Sequence, residues 1–382
     1  MRILHVSDTH LGYTAYRKTT EDGINQREID IYDAFKQFVD YAVETKPDLI
    51  LHTGDLFDSV RPTNRAITTA VQQILRISKK EIPIIIISGN HETPRLRETG
   101  NIFNIFEHLD HVYPVYNGRY EKIILTTKNN DEKISIHAVP QCQTKKEYID
   151  NLKKISIDKS ADYNIVMLHG CVKGIQEFSM NDFNELLIPI HFLKKEFDYI
   201  ALGHYHKYTQ VTENSFYSGS TEHLTFAEAM EQKGFIELET NNGKNRHNFI
   251  PLKNRPMIDT PPIQCQHLSI TEIMKKIGEI IEKIDPKEKI FRINLKNIPM
   301  HIYRGIDFNT IREKSLGATH YEIKTDIIKE EKISQNTAYK INTVAEEFKT
   351  FLQQQNNIQE KEKLLKLGLQ YIQKIETKKE QL

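Results

Sequence analysis

The chain has 382 residues, long enough for two or more domains with cores of their own. Its 52 lysines and arginines balance 52 aspartates and glutamates, which excludes a globally basic nucleic-acid binder and leaves room only for a local basic groove. Cys142, Cys171 and Cys265 are odd in number and widely spaced, against a disulfide framework, and no apolar run nears the roughly twenty residues of a membrane helix, so a soluble intracellular protein is expected.

In chain order, short apolar runs stand at residues 3–6 (ILHV), 49–51 (LIL), 84–87 (IIII), 165–168 (IVML) and 199–202 (YIAL). Continuous and rich in branched side chains, they read as buried strands of a sheet covered on both faces. Residues 27–45, 63–80 and 93–110 carry helical spacing, so strands and helices alternate. After residue 206, segments 208–211, 216–217, 234–238 and 248–252, separated by Asn/Gly-rich turns such as 241–243, predict hairpins. Pro256, Pro261 and Pro262 mark a domain boundary.

Residues 264–324 predict a small alternating unit: strand 267–270 (HLSI), helix 271–284, strand 290–295, a helix near 308–314 and strand 321–324. The first helix has Thr271 as its potential cap and Ile273, Ile277, Ile280, Ile281 and Ile284 on one face. A charged connector at 329–334 leads to two amphipathic helices, the first carrying Ile341, Val344, Phe348 and Phe351, the second Leu365, Leu369, Ile372 and Ile375. So short a pair buries little apolar surface alone, and its stripes need a partner surface or the parent domain.

The chemistry lies where the five apolar runs end. Asp8 and His10 (DTH), Asp55 (GD), Asn90 and His91 (GNH), His169 (HG), and His204 and His206 (GHYH) all follow strand-like segments. In open α/β sheets, sites gather beyond the carboxyl ends of the strands. Each motif alone is common in turns, but GHYH puts two imidazoles on one side of an extended segment. Five such motifs in one order, supplying oxygen and imidazole donors enough for two divalent ions, point to a two-metal hydrolase of phosphate esters.

DTHLG (residues 8–12), GDLFD (54–58), GNH (89–91), HG (169–170) and GHYH (203–206) resemble the calcineurin-type metallophosphoesterase superfamily. Within it, DTHLG and GDLF resemble the meiotic recombination eleven family of DNA double-strand-break repair nucleases, whose bacterial counterpart is of the SbcD type. The resemblance implies an α/β fold: a two-sheet α/β/β/α metallophosphoesterase sandwich over residues 1–253, with a small α+β cap domain at 264–324 that caps DNA. A linker at 325–335 and a C-terminal helical pair at 336–382, which binds the coiled coil of an SMC-like ATPase, complete it.

The same resemblance implies two manganese ions, with magnesium or another divalent metal as substitute. Asp8, His10 and His206 would hold one, Asn90, His169 and His204 the other, with Asp55 bridging and His91 as the catalytic residue at the leaving oxygen. The implied activity is a duplex 3′–5′ exonuclease and single-strand endonuclease that processes DNA ends, in the nucleoid-bearing cytoplasm of a prokaryote. A homodimer would form through helices near 63–80 and 93–110, with Ile67, Val71, Ile74, Ile102, Phe103 and Phe106 as apolar candidates. Tyr13, Tyr16, Arg17, Lys18 and Arg27 lie in or near the loop after the first motif and are candidates for the DNA backbone.

Two positions depart from the family pattern. Many members have histidine after GDLF, where this chain has Asp58, and aspartate after GNH, where it has Glu92. Both are expected beside the ligands, Glu92 orienting His91. GNHE and GD-x-x-D also occur in protein serine/threonine phosphatases, so a phosphatase, a cyclic-nucleotide phosphodiesterase or mainly a DNA-end tether are the alternatives.

Overall fold

The computed structural model describes residues 1–127, 131–173, 186–241, 244–328, 344–354 and 361–379. Its first part runs β1 (Arg2–Val6), α1 (Gln26–Thr45), β2 (Leu49–His52), α2 (Asn64–Ser78), β3 (Ile84–Ile87), β4 (Val112–Val115), β5 (Glu121–Thr126) and β6 (Lys133–Val139). There follow α3 (Lys145–Leu152), β7 (Tyr163–His169), β8 (Cys171–Val172), β9 (Leu187–Ile188), β10 (Tyr199–Gly203), β11 (Thr209–Thr212), β12 (Ser215–Tyr217), β13 (Gly234–Asn241) and β14 (Lys244–Pro251). Next come β15 (Met257–Asp259), β16 (Ile263–Gln264), α4 (Ile270–Ile284), β17 (Ile290–Pro299), α5 (Met300–Arg304), α6 (Phe308–Lys314) and β18 (His320–Ile328). A separate compact unit, Lys329–Leu382, contains α7 (Val344–Gln354) and α8 (Lys361–Lys379).

Two six-stranded sheets form a sandwich, in orders β14-β13-β1-β2-β3-β4 and β11-β12-β10-β7-β6-β5. The central strands explain the continuous apolar runs. Side chains alternate with a period of two, so Leu4, Ile50, Ile84 and Ile86 enter the core under α1 and α2. Ile3, Leu49, Leu51, Ile85 and Ile87 meet Ile165, Met167 and Ala201 of the other sheet. Val166, Leu168, Ile200 and Leu202 face Tyr148 and Leu152 of α3 on the far side. Both faces of these central strands are buried, giving the expected α/β/β/α layering. β1 to β4 run parallel, as do β6, β7, β10 and β12, so each sheet gathers its loops at the carboxyl ends. The hairpins predicted after residue 206 form β11–β12 and β13–β14.

The helix expected at 93–110 does not form. Two 3₁₀ turns, Arg97–Thr99 and Ile102–His108, replace it, separated by Gly100 at φ 73°. Pro94 brings no backbone N–H, and Thr93 donates its hydroxyl back to Gly89 O at 2.6 Å instead of capping a helix. Phe103 and Phe106 join Ile74 in the core, so these three are unavailable to a dimer face, whereas Ile67, Val71 and Ile102 stay partly exposed.

In residues 257–328, β15 and β16 follow one another along one edge of β17, with β18 on the other edge, all parallel. Ile273, Ile277, Ile281 and Ile284 of α4 pack on Phe291, Ile293 and Leu295. Residues 267–270 are not a strand. Ser269 and Glu272 form a reciprocal capping box, so the helix starts at Ile270 and Ser269, not Thr271, is its cap. The proline-punctuated segment supplies the edge strands instead. In the C-terminal unit the Phe348 ring lies against Gly368, where a Cβ would fall 2.1 Å from it, and Val344, Phe351, Leu364, Leu367 and Tyr371 are exposed. Of the expected stripes, Ile341 and the side chain of Ile375 lie outside the described residues. Among the described residues no helix is long and apolar enough to cross a membrane.

Arg255, just before β15, forks both sides of Asp30 on α1 at 2.7 Å and donates to Glu288 O at 2.6 Å. Burial alone would raise the Asp30 pKa, but Arg255 and Arg27 hold its carboxyl below the usual range. A depressed folded-state pKa contributes stability that is present above the unfolded value and lost as pH falls through the folded one. Asp30→Asn is expected to cost ~3 kcal/mol at about pH 7, with the gap from the parent chain closing in acid, as read by urea unfolding across pH.

Candidate metal centre

All five motifs converge at the carboxyl ends of β1, β2, β3, β7 and β10. Asp8 N donates to Gly54 O, His10 N to Asp55 O and Leu11 N to Leu56 O, at 2.8–3.0 Å, zipping the first loop to the second. The two sheets touch here through glycine. A Cβ on Gly203 would fall 1.9 Å from Thr53 O, and one on Gly54 would fall 2.3 Å from His169 Nδ1. Four donor residues sit at positive φ: Asp8 at 51°, His10 at 46°, Asp55 at 53° and His204 at 99°. Such backbone costs of order 1–3 kcal/mol per residue and persists only where surrounding contacts over-determine it.

Three overlapping groups bring their donor atoms within 4.8 Å: Asp8, His10 and His206; His10, Asp55 and His91; and Asp55, His169 and His204. Asn90 completes the third, its Oδ1 standing 3.0 Å from His169 Nε2 and 2.9 Å from His204 Nδ1. The second nitrogens of three rings show which atom faces inward. His10 Nδ1 is 3.2 Å from Asp58 Oδ1, His206 Nδ1 is 3.3 Å from Glu228 Oε1, and His169 Nδ1 is 2.8 Å from Thr53 O. Those partners accept only, so the Nδ1 atoms carry the protons and the Nε2 lone pairs point into the site. His10 Nε2 and His206 Nε2 then face each other at 3.2 Å, and His169 Nε2 faces Asp55 Oδ2 at 3.4 Å. Lone pair against lone pair, and lone pair against carboxylate, are repulsive unless a cation or proton lies between. The donor set therefore fits divalent cations, which imidazole and carboxylate accept readily.

Electrostatics tell the same story with protons in place of metal. Burial opposes a charged His169, yet Asp55, with help from Asp8, carries its pKa up to about 9. Burial likewise opposes charge on Asp55, but the neighbouring imidazoles hold its carboxyl well below the usual range. His206 is raised against the effect of burial by its bond to Glu228. Glu228 in turn is held below the ordinary carboxylate range despite burial, by His206 and by Lys233, whose buried ammonium lies 2.8 Å away.

His91 lies beside His10 and Asp55 but is far more exposed than either. Its side chain is 40% exposed, its backbone N–H donates to Asp55 Oδ1 at 3.0 Å, and its Nδ1–H donates to Asp58 O at 2.9 Å. Asp58 thus does two jobs: its carboxylate holds His10 and its carbonyl holds His91. Glu92 does not orient His91. It is fully buried, with Oε1 accepting from Gly89 N at 3.1 Å and Leu56 N at 3.3 Å, and so ties the second and third loops together. Burial, then Asp55, push its pKa well up.

The five residues proposed for DNA separate. Arg27 is 1% exposed, bound to Asp30 at 2.7 Å, Glu222 at 3.3 Å and His223 O, so its charge is spent inside the protein and cannot meet a phosphate. Tyr13 donates to Leu224 O at 2.8 Å. Tyr16 stacks on His320 with ring centres 3.8 Å apart, and Lys18 reaches Gly317 O at 3.5 Å. Arg17 is exposed. Glu228, Lys233 and the Thr53 carbonyl belong to no motif, and only the fold brings them to the site.

Residues 1–208 match the family model of the calcineurin-like phosphoesterases, and the chain belongs to that class. It is 31% identical over 298 residues to the DNA double-strand break repair protein Mre11 of Methanocaldococcus jannaschii, covering 75% of this chain and 73% of that one. The Thermoplasma acidophilum Mre11 is 30% identical over 81% of this chain and 79% of its own length, and that of Methanococcus maripaludis 32% identical over 61% and 60%. Within the phosphoesterases, the chain belongs to the Mre11 family of DNA double-strand break repair proteins.

Asp58→Ala leaves His10 without its carboxylate anchor and is expected to weaken divalent-cation binding on the order of tenfold to a hundredfold, measured by titration calorimetry on the full chain with manganese as the probe.

Proposed function

We propose that this chain is a metal-dependent DNA nuclease that processes ends in double-strand break repair. The observation that carries this is the inward turn of the His10, His169 and His206 lone pairs onto Asp8, Asp55 and Asn90, in a member of the Mre11 family. Asp8, His10 and His206 would hold one divalent ion, manganese on this reading, and Asn90, His169 and His204 would hold a second, with Asp55 available to either. Two such ions, when bound, would supply Lewis-acid polarisation of a phosphodiester and a more acidic water.

The chain's own residues do the rest. Glu228 and Asp58 keep the proton on the outer nitrogen of His206 and His10, so both rings remain donors to the site. Thr53 O does the same for His169. His91, anchored through Nδ1 and partly exposed, uses Nε2 to protonate the leaving oxygen. The reading is a 3′–5′ exonuclease on duplex DNA and an endonuclease on single strands, with Asp58 in place of histidine tuning the balance. Exposed Arg17 guides the duplex backbone toward the site. Dimerisation uses the partly exposed Ile67, Val71 and Ile102.

The test is manganese-dependent turnover of duplex and single-stranded DNA beside a phosphopeptide and a cyclic nucleotide. DNA alone should be cleaved, Asp55→Ala should be inert, and His91→Gln should keep its metals while losing ~10²- to 10⁴-fold in rate. Turnover of phosphopeptide in preference to DNA would overturn the reading.

The helices α7 and α8 supply the partner surface. Their exposed Val344, Phe351, Leu364, Leu367 and Tyr371 fit the coiled coil of an SMC-like ATPase. Deleting residues beyond Ile328 should leave intrinsic nuclease activity and abolish co-elution with that ATPase; an intact complex after truncation would contradict the assignment.

A further inference from the structure

We propose that the α/β unit of residues 257–328 sets the position of His206, and so governs the affinity of the Asp8/His10/His206 metal site while leaving the Asn90/His169/His204 site alone. This rests on the metal assignment above, not on the identity of the substrate.

The connection is a single short turn. Residues Phe226–Glu228 form a 3₁₀ turn whose first residue packs on the small sheet and whose last reaches the metal centre. Phe226 is buried in a small cluster with Met257 of β15 and Ile290 of β17, and the Arg292 guanidinium lies 4.6 Å over its ring. Arg292 is itself fixed by Asp259 and, at 3.4 Å, by Glu322, both residues of the same small sheet. Two positions on, the Glu228 carboxylate accepts from Leu224 N at 3.2 Å and Thr225 Oγ1 at 3.1 Å, and stands 3.3 Å from His206 Nδ1. Lys233 closes the arrangement, donating to Glu228 and to His206 O, both at 2.8 Å. A turn of three residues has no slack to absorb a shift of Phe226, so the carboxylate follows the ring.

The loop carrying His10 is tied to the same unit. Tyr16 packs beside this cluster and stacks on His320, Lys18 meets Gly317 O, and Tyr13 binds Leu224 O next to the turn. Two of the three donors of one site therefore hang from segments gripped by residues 257–328. The donors of the other are held from within the sandwich: His169 by Thr53 O, and His204 by its backbone N–H on Asp8 at 3.1 Å. Linkage is reciprocal, so manganese entering the first site also steadies the small sheet against the turn.

The experiment is titration of the full metal-free chain with manganese alone, by calorimetry and by electron paramagnetic resonance, for Phe226→Ala and Phe226→Leu. Far-ultraviolet circular dichroism establishes that each variant is folded. For Phe226→Ala, one of the two binding events should weaken on the order of tenfold, the other should keep its affinity, and the spin-coupled signal should give way to that of an isolated ion. Phe226→Leu, which refills the cluster, should restore both. Two unchanged events in folded Phe226→Ala, equal weakening of both, or failure of leucine to rescue would each overturn the proposal. If the parent chain binds two ions but cleaves no DNA, the nuclease reading fails while this one stands.

Discussion

The structure depends on one constraint: two mixed sheets packed face to face, with the carboxyl ends of their parallel central strands at one end. Ile3, Leu51, Ile87 and Met167 give that interface an apolar seam, and the buried His5 within it is satisfied by Tyr199 OH and Thr53 Oγ1, each at 3.0 Å. The seam lets loops from both sheets approach until Gly203 touches the Thr53 carbonyl. Without that approach His169 would lose its anchor, and Asp55 would face no imidazole from the second sheet. The site is thus a product of sheet packing, built from side chains that contribute nothing to the core themselves.

Local strain and charge are tolerated there for the same reason. Asp8, His10, Asp55 and His204 adopt backbone angles that favour glycine, and Glu92 is buried beside Asp55 without a cation of its own. Each is held by hydrogen bonds from a different loop, so none can relax alone. A polar cluster of this kind costs stability and supplies a preorganised set of donors.

What could be read from the sequence follows from the range of the interactions. The buried strands were legible because a parallel sheet covered on both faces demands unbroken apolar runs, and the donors because each sits directly after one. The helix at 93–110 was misread since its apolar spacing is genuine, but Phe103 and Phe106 serve the core from 3₁₀ turns interrupted by Gly100. Arg27 looked like a phosphate contact because its partners at His223 and Glu222 lie almost two hundred positions away, beyond any local pattern. Glu228 was invisible for the same reason: nothing about its neighbours distinguishes it from a surface carboxylate until the fold sets His206 beside it.

The way the chain passes from β14 into β15 has a mechanical consequence. Residues 252–256 are all that separates an edge strand of the sandwich from an edge strand of the next sheet, and Arg255, in the middle of that span, is clasped by Asp30 and Glu288. There is no tether to pay out. Arg255, the Arg292 guanidinium over Phe226 and the Tyr16–His320 stack all hold the small sheet near the starts of β17 and β18, so its attachment to the sandwich is concentrated at that end.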